Sequence, residues 1–260
     1  MKAKNIFAAL LLFAAGSQTA WAQKVTLHLA GRQPVRFSIE ELDSLICEEE
    51  HEYVDLGLPS GTLWATCNVG ANSPEEFGYF FAWGETQPKE DYSWDTYIYC
   101  KGSENTLTKY CTNSTYGYNG FTDALDELLP EDDAATANWG RGWQMPSMEQ
   151  IKELFNEENT TQTLTKQNGV DGWLIRSKSN NGTLFLPAAY NRQSIPPNGG
   201  GTYVKQGGYW SRSLWHSKSN SAYEQGFTLV SNSSVENFGA IVEANDTRDC
   251  GHSVRPVRKQ

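Results

Sequence analysis

Residues 131–155 read EDDAATANWGRGWQMPSMEQIKELF and contain both of the helices that the sequence predicts. The first helix is expected over residues 131–139 and ends at Gly140, because glycine commonly ends a helix. The second begins at Ser147, which forms a capping box with Gln150 three residues later. Apolar residues recur at helical spacing after Ser147, so one face of this helix is expected to be buried: Met148, Ile151, Leu154 and Phe155.

Short apolar segments separated by turn residues lie on both sides of the helices and predict strands. These segments are residues 63–69, 79–83, 173–177, 183–186, 209–213, 226–230, 240–243 and 253–257. Polar segments predict long loops at 191–208, 216–221, 231–237 and 244–251. Helices grouped ahead of a run of strands are typical of an α+β fold with an antiparallel sheet, and this is the fold class we expect.

The N-terminus has the pattern of a cleaved secretory signal. Lys2 and Lys4 precede an apolar run at residues 6–15, and Ala20-Trp21-Ala22 supplies the small-x-small cleavage site. The sequence therefore predicts a signal peptide at 1–22 and export to the periplasm, the cell surface or the medium. Residues 23–50 predict a small strand–helix segment, and residues 51–260 the main domain.

Composition excludes several classes of protein. The chain of 260 residues has 31 acidic and 21 basic side chains, a net charge of −10, and an aromatic content of 12%. That aromatic content supports a folded core and excludes intrinsic disorder and coiled coils. The acidic balance argues against a nucleic-acid partner, which needs a clustered basic surface. After the signal, the sequence has no apolar run long enough to predict a transmembrane segment.

The five cysteines, an odd number, predict at least one thiol without an intramolecular partner. Cys100 and Cys111 bracket a short polar loop and are the favoured disulfide pair, since export permits disulfides. The alternative is two reduced, half-buried thiols. The sequence lacks a C-x-x-C pair or a Cys/His cluster with zinc spacing.

Motifs for catalysis and for metal binding are missing from the sequence. Ser60 lies one residue away from a nucleophile-elbow pattern, and His51-Glu52 does not continue into a zinc motif. Asp132 and Asp133 either hold a structural ion or supply favourable charge at a helix N-terminus. We therefore expect no cofactor and no enzymatic activity.

Several motifs in order along the chain resemble those of one family. They are YVDLGLPSGTLWATCNVG at 53–70, FAWGE at 81–85, EDDAA through NWGRGWQMPS at 131–147, GYWSRS at 208–213 and GHSVRPV at 251–257. These segments resemble the Fibrobacter succinogenes major paralogous domain, which is abundant in exported proteins of gut Bacteroidetes, and the resemblance covers about residues 51–258.

The resemblance implies a C-type-lectin-like fold, related to that of formylglycine-generating enzymes. Those enzymes need a reactive cysteine pair near the end of the fold, and Cys250 alone occupies that region here. The resemblance implies little about activity.

Conspicuous residues outside the loops are expected to be structural. Arg255, in the last predicted strand, is expected to pair with Asp132 or Asp133. Five tryptophans are expected in the core because their large rings stand at the ends of predicted elements: Trp64, Trp83, Trp139, Trp143 and Trp210.

The C-terminal loops are the predicted binding surface. They combine aromatic rings that stack on sugar faces with amides, carboxylates and a guanidinium that form directional hydrogen bonds. The candidate ligand-binding residues are Trp215, His216, Tyr223, Asn232, Asn237, Asn245, Asp246 and Arg248. This region also resembles the variable segment of lectin-fold proteins that retroelements diversify.

These features predict an exported, non-catalytic module that recognises a glycan or a surface protein, as in adhesion. One alternative is a structural or assembly subunit of the cell envelope, joined through residues 23–50 and an unpaired cysteine. Another is an enzyme that uses Cys250 as an activated thiolate.

Overall fold

The computed structural model describes residues 24–27, 35–38, 51–188, 205–214, 223–231 and 241–259. The chain forms two compact units, residues 1–47 and 48–260. The first unit contains an antiparallel hairpin of β1 (Lys24–Leu27) and β2 (Val35–Ser38), in which Val25 pairs with Phe37.

The second unit contains three sheets. The largest has the strand order β11-β10-β9-β12-β5, and the two smaller ones have the orders β13-β4-β3 and β6-β7-β8. The strands are β3 Tyr53–Asp55, β4 Thr62–Ala65, β5 Phe80–Phe81, β6 Thr160–Gln167, β7 Val170–Ser177, β8 Thr183–Pro187, β9 Lys205–Trp210, β10 Tyr223–Ser231, β11 Ile241–Thr247, β12 His252–Ser253 and β13 Val257–Lys259.

Strand pairing in these sheets is antiparallel except where β12 meets β9. Together with two α-helices in the described ranges, the sheets make the unit broadly α+β, close to mostly β. None of the helices in the described part of the chain is long and apolar enough to cross a membrane.

Both predicted helices are present. α1 (Ala134–Trp139) is shorter than expected because Asp133 has an extended backbone and caps the helix, accepting a hydrogen bond from the Thr136 amide at 2.9 Å. Residues 130–132 form a separate turn of 3-10 helix. α1 ends at Gly140, which has a φ of 87° and is therefore in a conformation that favours glycine.

α2 (Met148–Phe155) confirms the prediction in detail. Ser147 and Gln150 form both hydrogen bonds of the capping box, and the four predicted apolar residues are buried. α2 packs in a core cluster with Trp64, Trp173 and Tyr209. A second cluster contains Trp83 and Trp210 together with the start of α1.

The strands differ from the predictions at several places. β3 and β6 were not predicted, and β11 continues through Asn245 and Asp246, which we expected to be in a loop. β9 begins within the predicted loop 191–208 and ends at Trp210, and the predicted strand 253–257 is two short strands, β12 and β13. β6 has the polar sequence TTQTLTKQ but pairs residue for residue with β7. The two strands are joined by Asn168 and Gly169, whose φ angles of 48° and 85° match a tight hairpin turn.

The predicted role of Arg255 is wrong. Its side chain is fully buried and donates to Asn68 Oδ1 at 2.7 Å and to the carbonyls of Ala65 and Thr66 at 3.1 and 2.7 Å. Arg255 therefore ties the segment between β12 and β13 to the end of β4 and to the residues that follow β4. Asp133 is occupied as a helix cap, and Asp132 binds other side chains.

Four of the five tryptophans that we predicted in the core are buried: Trp64, Trp83, Trp143 and Trp210. Trp139 is only partly buried, at the edge of the second cluster.

Candidate functional site

The structure describes four of the eight residues that were predicted to bind a ligand at the C-terminal loops. Trp215, His216, Asn232 and Asn237 lie outside the described residues. The remaining four lie in or directly after strands: Tyr223 begins β10, Asn245 and Asp246 are in β11, and Arg248 is in the turn that follows.

Register brings three of these residues to one end of the large sheet. Tyr223 pairs with Thr247, and the next two positions of β10 pair with Asp246 and Asn245. Ser231, which precedes Asn232 in the sequence, ends β10 eight residues away, about 26 Å along the strand. Tyr223, Asn245 and Asp246 therefore share one end of the sheet.

Asp246 is held by two neighbours that follow it in sequence. Its Oδ2 is 3.1 Å from His252 Nε2, and Cys250 Sγ donates to its Oδ1 at 3.3 Å. Burial alone would raise the pKa of Asp246, but the hydrogen bond and charge interaction with His252, together with hydrogen bonds from the Thr247 amide and the Cys250 thiol, outweigh it and lower the pKa to about 2. The carboxylate is therefore ionised and fixed in place at neutral pH.

Cys250 lacks the environment of an activated nucleophile. Burial raises the pKa of its thiol strongly, and the carboxylates of Asp246 and Asp249 raise it further. A reactive thiolate needs the opposite setting, a nearby positive charge and access to solvent. This geometry counts against the hypothesis of catalysis by Cys250.

Arg248 does not belong to a ligand-binding surface, so that part of the prediction is wrong. The side chain is fully buried, with its guanidinium 5.2 Å from the centre of the Trp83 ring. Its Nη2 donates to the Tyr110 carbonyl at 2.8 Å, and its Nη1 donates to the Lys109 carbonyl at 3.3 Å. Arg248 therefore anchors the end of β11 to the segment at 109–110.

The predicted disulfide between Cys100 and Cys111 is not formed in the structure, where both are buried free thiols. Their Sγ atoms donate to different carbonyls, that of Trp94 at 3.1 Å and that of Asn113 at 3.2 Å. Backbone hydrogen bonds close the intervening loop by joining Tyr99 to Thr108 and residue 101 to residue 106. This pairing places Cys100 opposite residue 107, out of register with Cys111.

The acidic pair at 132–133 is used structurally. Asp132 accepts hydrogen bonds from the hydroxyls of Tyr99 and Tyr110, and it forms an ion pair with Lys109. Burial, together with the Asp132 carboxylate, raises the pKa of both tyrosines. Asp133 accepts a hydrogen bond from the Thr136 amide and caps α1, while burial raises the pKa of its carboxyl. The part of the chain that the structure describes contains no group of three or more His, Cys, Asp or Glu residues placed to hold a metal ion.

The structure also shows a cleft that sequence reasoning missed. It has a volume of about 170 Å³ and is lined by His51, Glu52, Thr66, Cys67, Ala71, Asn72 and Trp139. The His51 ring stacks on Trp139, with centroids 3.7 Å apart and planes within 10°. Trp139 in turn meets Trp143 edge to face at 5.2 Å.

Two polar side chains of the cleft are not used by the fold. The Glu52 carboxylate and the Asn72 side-chain amide make no hydrogen bond or ion pair with the residues that the structure describes. Their backbones are nevertheless fixed: the Glu52 carbonyl accepts from the Thr66 amide at 3.0 Å, and the Asn72 amide donates to Glu76 Oε2 at 2.8 Å. The lining residues come from separate segments, so no local motif signals the cleft.

Comparison of the chain with protein-family models, with curated proteins and with solved structures found no match.

Proposed function

We propose that the protein is an exported, non-catalytic binding module that recognises a glycan or a surface protein at the end of the β10–β11 sheet. The observation that carries this proposal is the anchoring of that end. Arg248 ties it to residues 109–110, and His252 holds Asp246, so Tyr223 and Asn245 lie at the end of a rigid scaffold. Binding groups on such scaffolds lose little conformational freedom when a ligand binds.

The non-catalytic character is part of the proposal. Three candidate catalytic groups in the described ranges are already used by the fold. The Cys250 thiol is buried beside two carboxylates, and both the burial and these carboxylates raise its pKa. Asp132 binds two tyrosines and a lysine, and Asp133 binds backbone amides. Cys250 Sγ donates to Asp246 Oδ1, but this carboxylate is a weak general base because its pKa is lowered to about 2, and burial raises the pKa of the thiol.

The proposal extends to a C-type-lectin-like fold and to membership of the Fibrobacter succinogenes major paralogous domain family. Support comes from the pairing of β13 with β4, which joins the end of the domain to its beginning. Support also comes from the sequence motifs of the resemblance, since these motifs contain the buried residues Trp64, Trp83 and Trp210.

The test is binding of residues 23–260 to an array of glycans and mucins, with and without calcium. We expect a specific signal that the substitutions Tyr223→Ala and Trp215→Ala each abolish without lowering the melting temperature. Tyr118→Ala is the matched control, since Tyr118 is an exposed tyrosine in a different part of the chain. Binding that survives both substitutions contradicts the site assignment.

The alternative function, an assembly subunit of the cell envelope, is favoured by one observation: the β1–β2 hairpin belongs to a different unit from residues 48–260. It predicts oligomers whose mass increases with protein concentration and which disappear when residues 23–50 are deleted. Light scattering coupled to size-exclusion chromatography measures both. A monomer at high concentration contradicts this alternative.

A further inference from the structure

We infer that the cleft beside the His51–Trp139 stack is a subsite for one neutral saccharide ring, a hexose or N-acetylhexosamine. This inference rests on the proposed binding function, but it places recognition at a second location with a separate set of residues. It is carried by an aromatic wall, by two unused hydrogen-bonding side chains, and by the size and charge of the cleft.

The aromatic wall is held in a fixed position. His51 lies flat against Trp139, and both rings meet Trp143 edge to face, at 6.0 and 5.2 Å. Trp143 is buried and has the Arg258 guanidinium 5.4 Å from its centre. A ring surface that is already packed from behind loses little entropy when a ligand stacks on it.

The unused polar groups match the hydroxyl groups of a sugar. A carboxylate accepts hydrogen bonds, and an amide both donates and accepts them, while each sugar hydroxyl does both. Glu52 and Asn72 offer these functions from backbones that Thr66 and Glu76 already hold. The fold uses the backbone of each residue, and both side chains are exposed at the cleft.

Charge and size narrow the ligand class. The lining contains the carboxylate of Glu52 and, apart from the imidazole of His51, no basic side chain, so an anionic sugar or a phosphate is disfavoured. The volume of about 170 Å³ is well below the roughly 300–1,000 Å³ of pockets for drug-sized ligands. One ring fits these limits, as a terminal residue of a glycan.

Cys67 supplies a direct readout because it lines the cleft and is partly exposed, while Cys100, Cys111 and Cys250 are buried. The experiment measures the rate at which N-ethylmaleimide labels Cys67 in the intact mature protein. Peptide mapping distinguishes Cys67 from Cys47. The probes are the methyl glycosides of mannose, galactose and glucose, and N-acetylglucosamine.

A sugar that binds with a Kd of about 1 mM should slow labelling about tenfold at a concentration of about 10 mM. Glu52→Gln and Asn72→Ala should each remove this protection, and Glu90→Gln, which changes an exposed carboxylate elsewhere, should leave it intact. Unchanged labelling with every sugar overturns the inference. Protection by tetramethylammonium and not by sugars also overturns it, in favour of a cation site.

The outcome separates this inference from the proposed function. Array binding that requires Tyr223, without protection of Cys67, refutes the cleft subsite and leaves the proposed function intact. Protection of Cys67 together with array binding that is indifferent to Tyr223 supports the subsite and refutes the assignment to the β10–β11 end.

Discussion

Replacement of Arg248 by alanine should destabilise the domain without changing its exposed surface. The guanidinium donates to the carbonyls of Tyr110 and Lys109 from a fully buried position. A hydrogen bond to a charged group contributes about 1.5–3 kcal/mol, and the bond at 3.3 Å counts for less than the one at 2.8 Å. Removing a buried charge returns part of this loss, because its desolvation cost disappears as well.

The net loss expected for Arg248→Ala is therefore about 3 kcal/mol in the free energy of unfolding. For a domain of this size, that corresponds to a drop of about 9 °C in the melting temperature. Arg248→Lys should lose about 2 kcal/mol, because one ammonium group does not reproduce the planar fork. Arg141→Ala is the matched control: Arg141 is exposed, and its loss should cost less than about 0.5 kcal/mol.

Urea unfolding followed by tryptophan fluorescence gives these free energies, and differential scanning calorimetry gives the melting temperatures. If Arg248→Ala unfolds at the same urea concentration as the wild type yet loses ligand binding, the structural role is refuted. Arg248 would then belong to the binding surface, as the sequence first indicated.

Three further predictions concern the acidic residues and the thiols. Asp133→Ala should lower the unfolding free energy by about 2–4 kcal/mol, because it removes the cap of α1 and leaves the buried Met145 amide without its acceptor; an unchanged urea midpoint contradicts this. The lowered pKa of Asp246 gives stability that is present above pH 3.8 and lost as the pH falls to about 2, so the wild type should lose more stability than Asp246→Asn over that range; parallel acid-unfolding curves are the contrary result. Reducing agent should not change the melting temperature, because Cys100 and Cys111 are free thiols; a clear drop on reduction, absent in Cys100→Ser, contradicts the structure.

Local signals predicted the helices and failed where long-range contacts decide. The Ser147 capping box lies within four residues, so its geometry follows from the sequence alone. β6 has no apolar alternation to mark it, and its conformation depends on pairing with β7 across a turn. A sequence window that contains only TTQTLTKQ therefore does not indicate a strand.

The site residues show the same limit. Tyr223, Asn245 and Asp246 lie at the same end of the sheet because β10 and β11 are adjacent strands, and their role in ligand binding stays a prediction. Arg248 was assigned to the surface because it falls in the polar segment 244–251, which predicts a loop, and its acceptors at 109 and 110 are far away in sequence. The cleft at Trp139 was missed for the same reason, since its walls come from separate parts of the chain.

The most direct test of the account measures how the wild type, Tyr223→Ala and Tyr118→Ala bind glycans and surface proteins. Both variants are first checked for an unchanged melting temperature. The account predicts a specific ligand that the wild type and Tyr118→Ala bind equally and that Tyr223→Ala does not bind. Equal binding by all three proteins, or a wild type that binds none of the ligands, would contradict it.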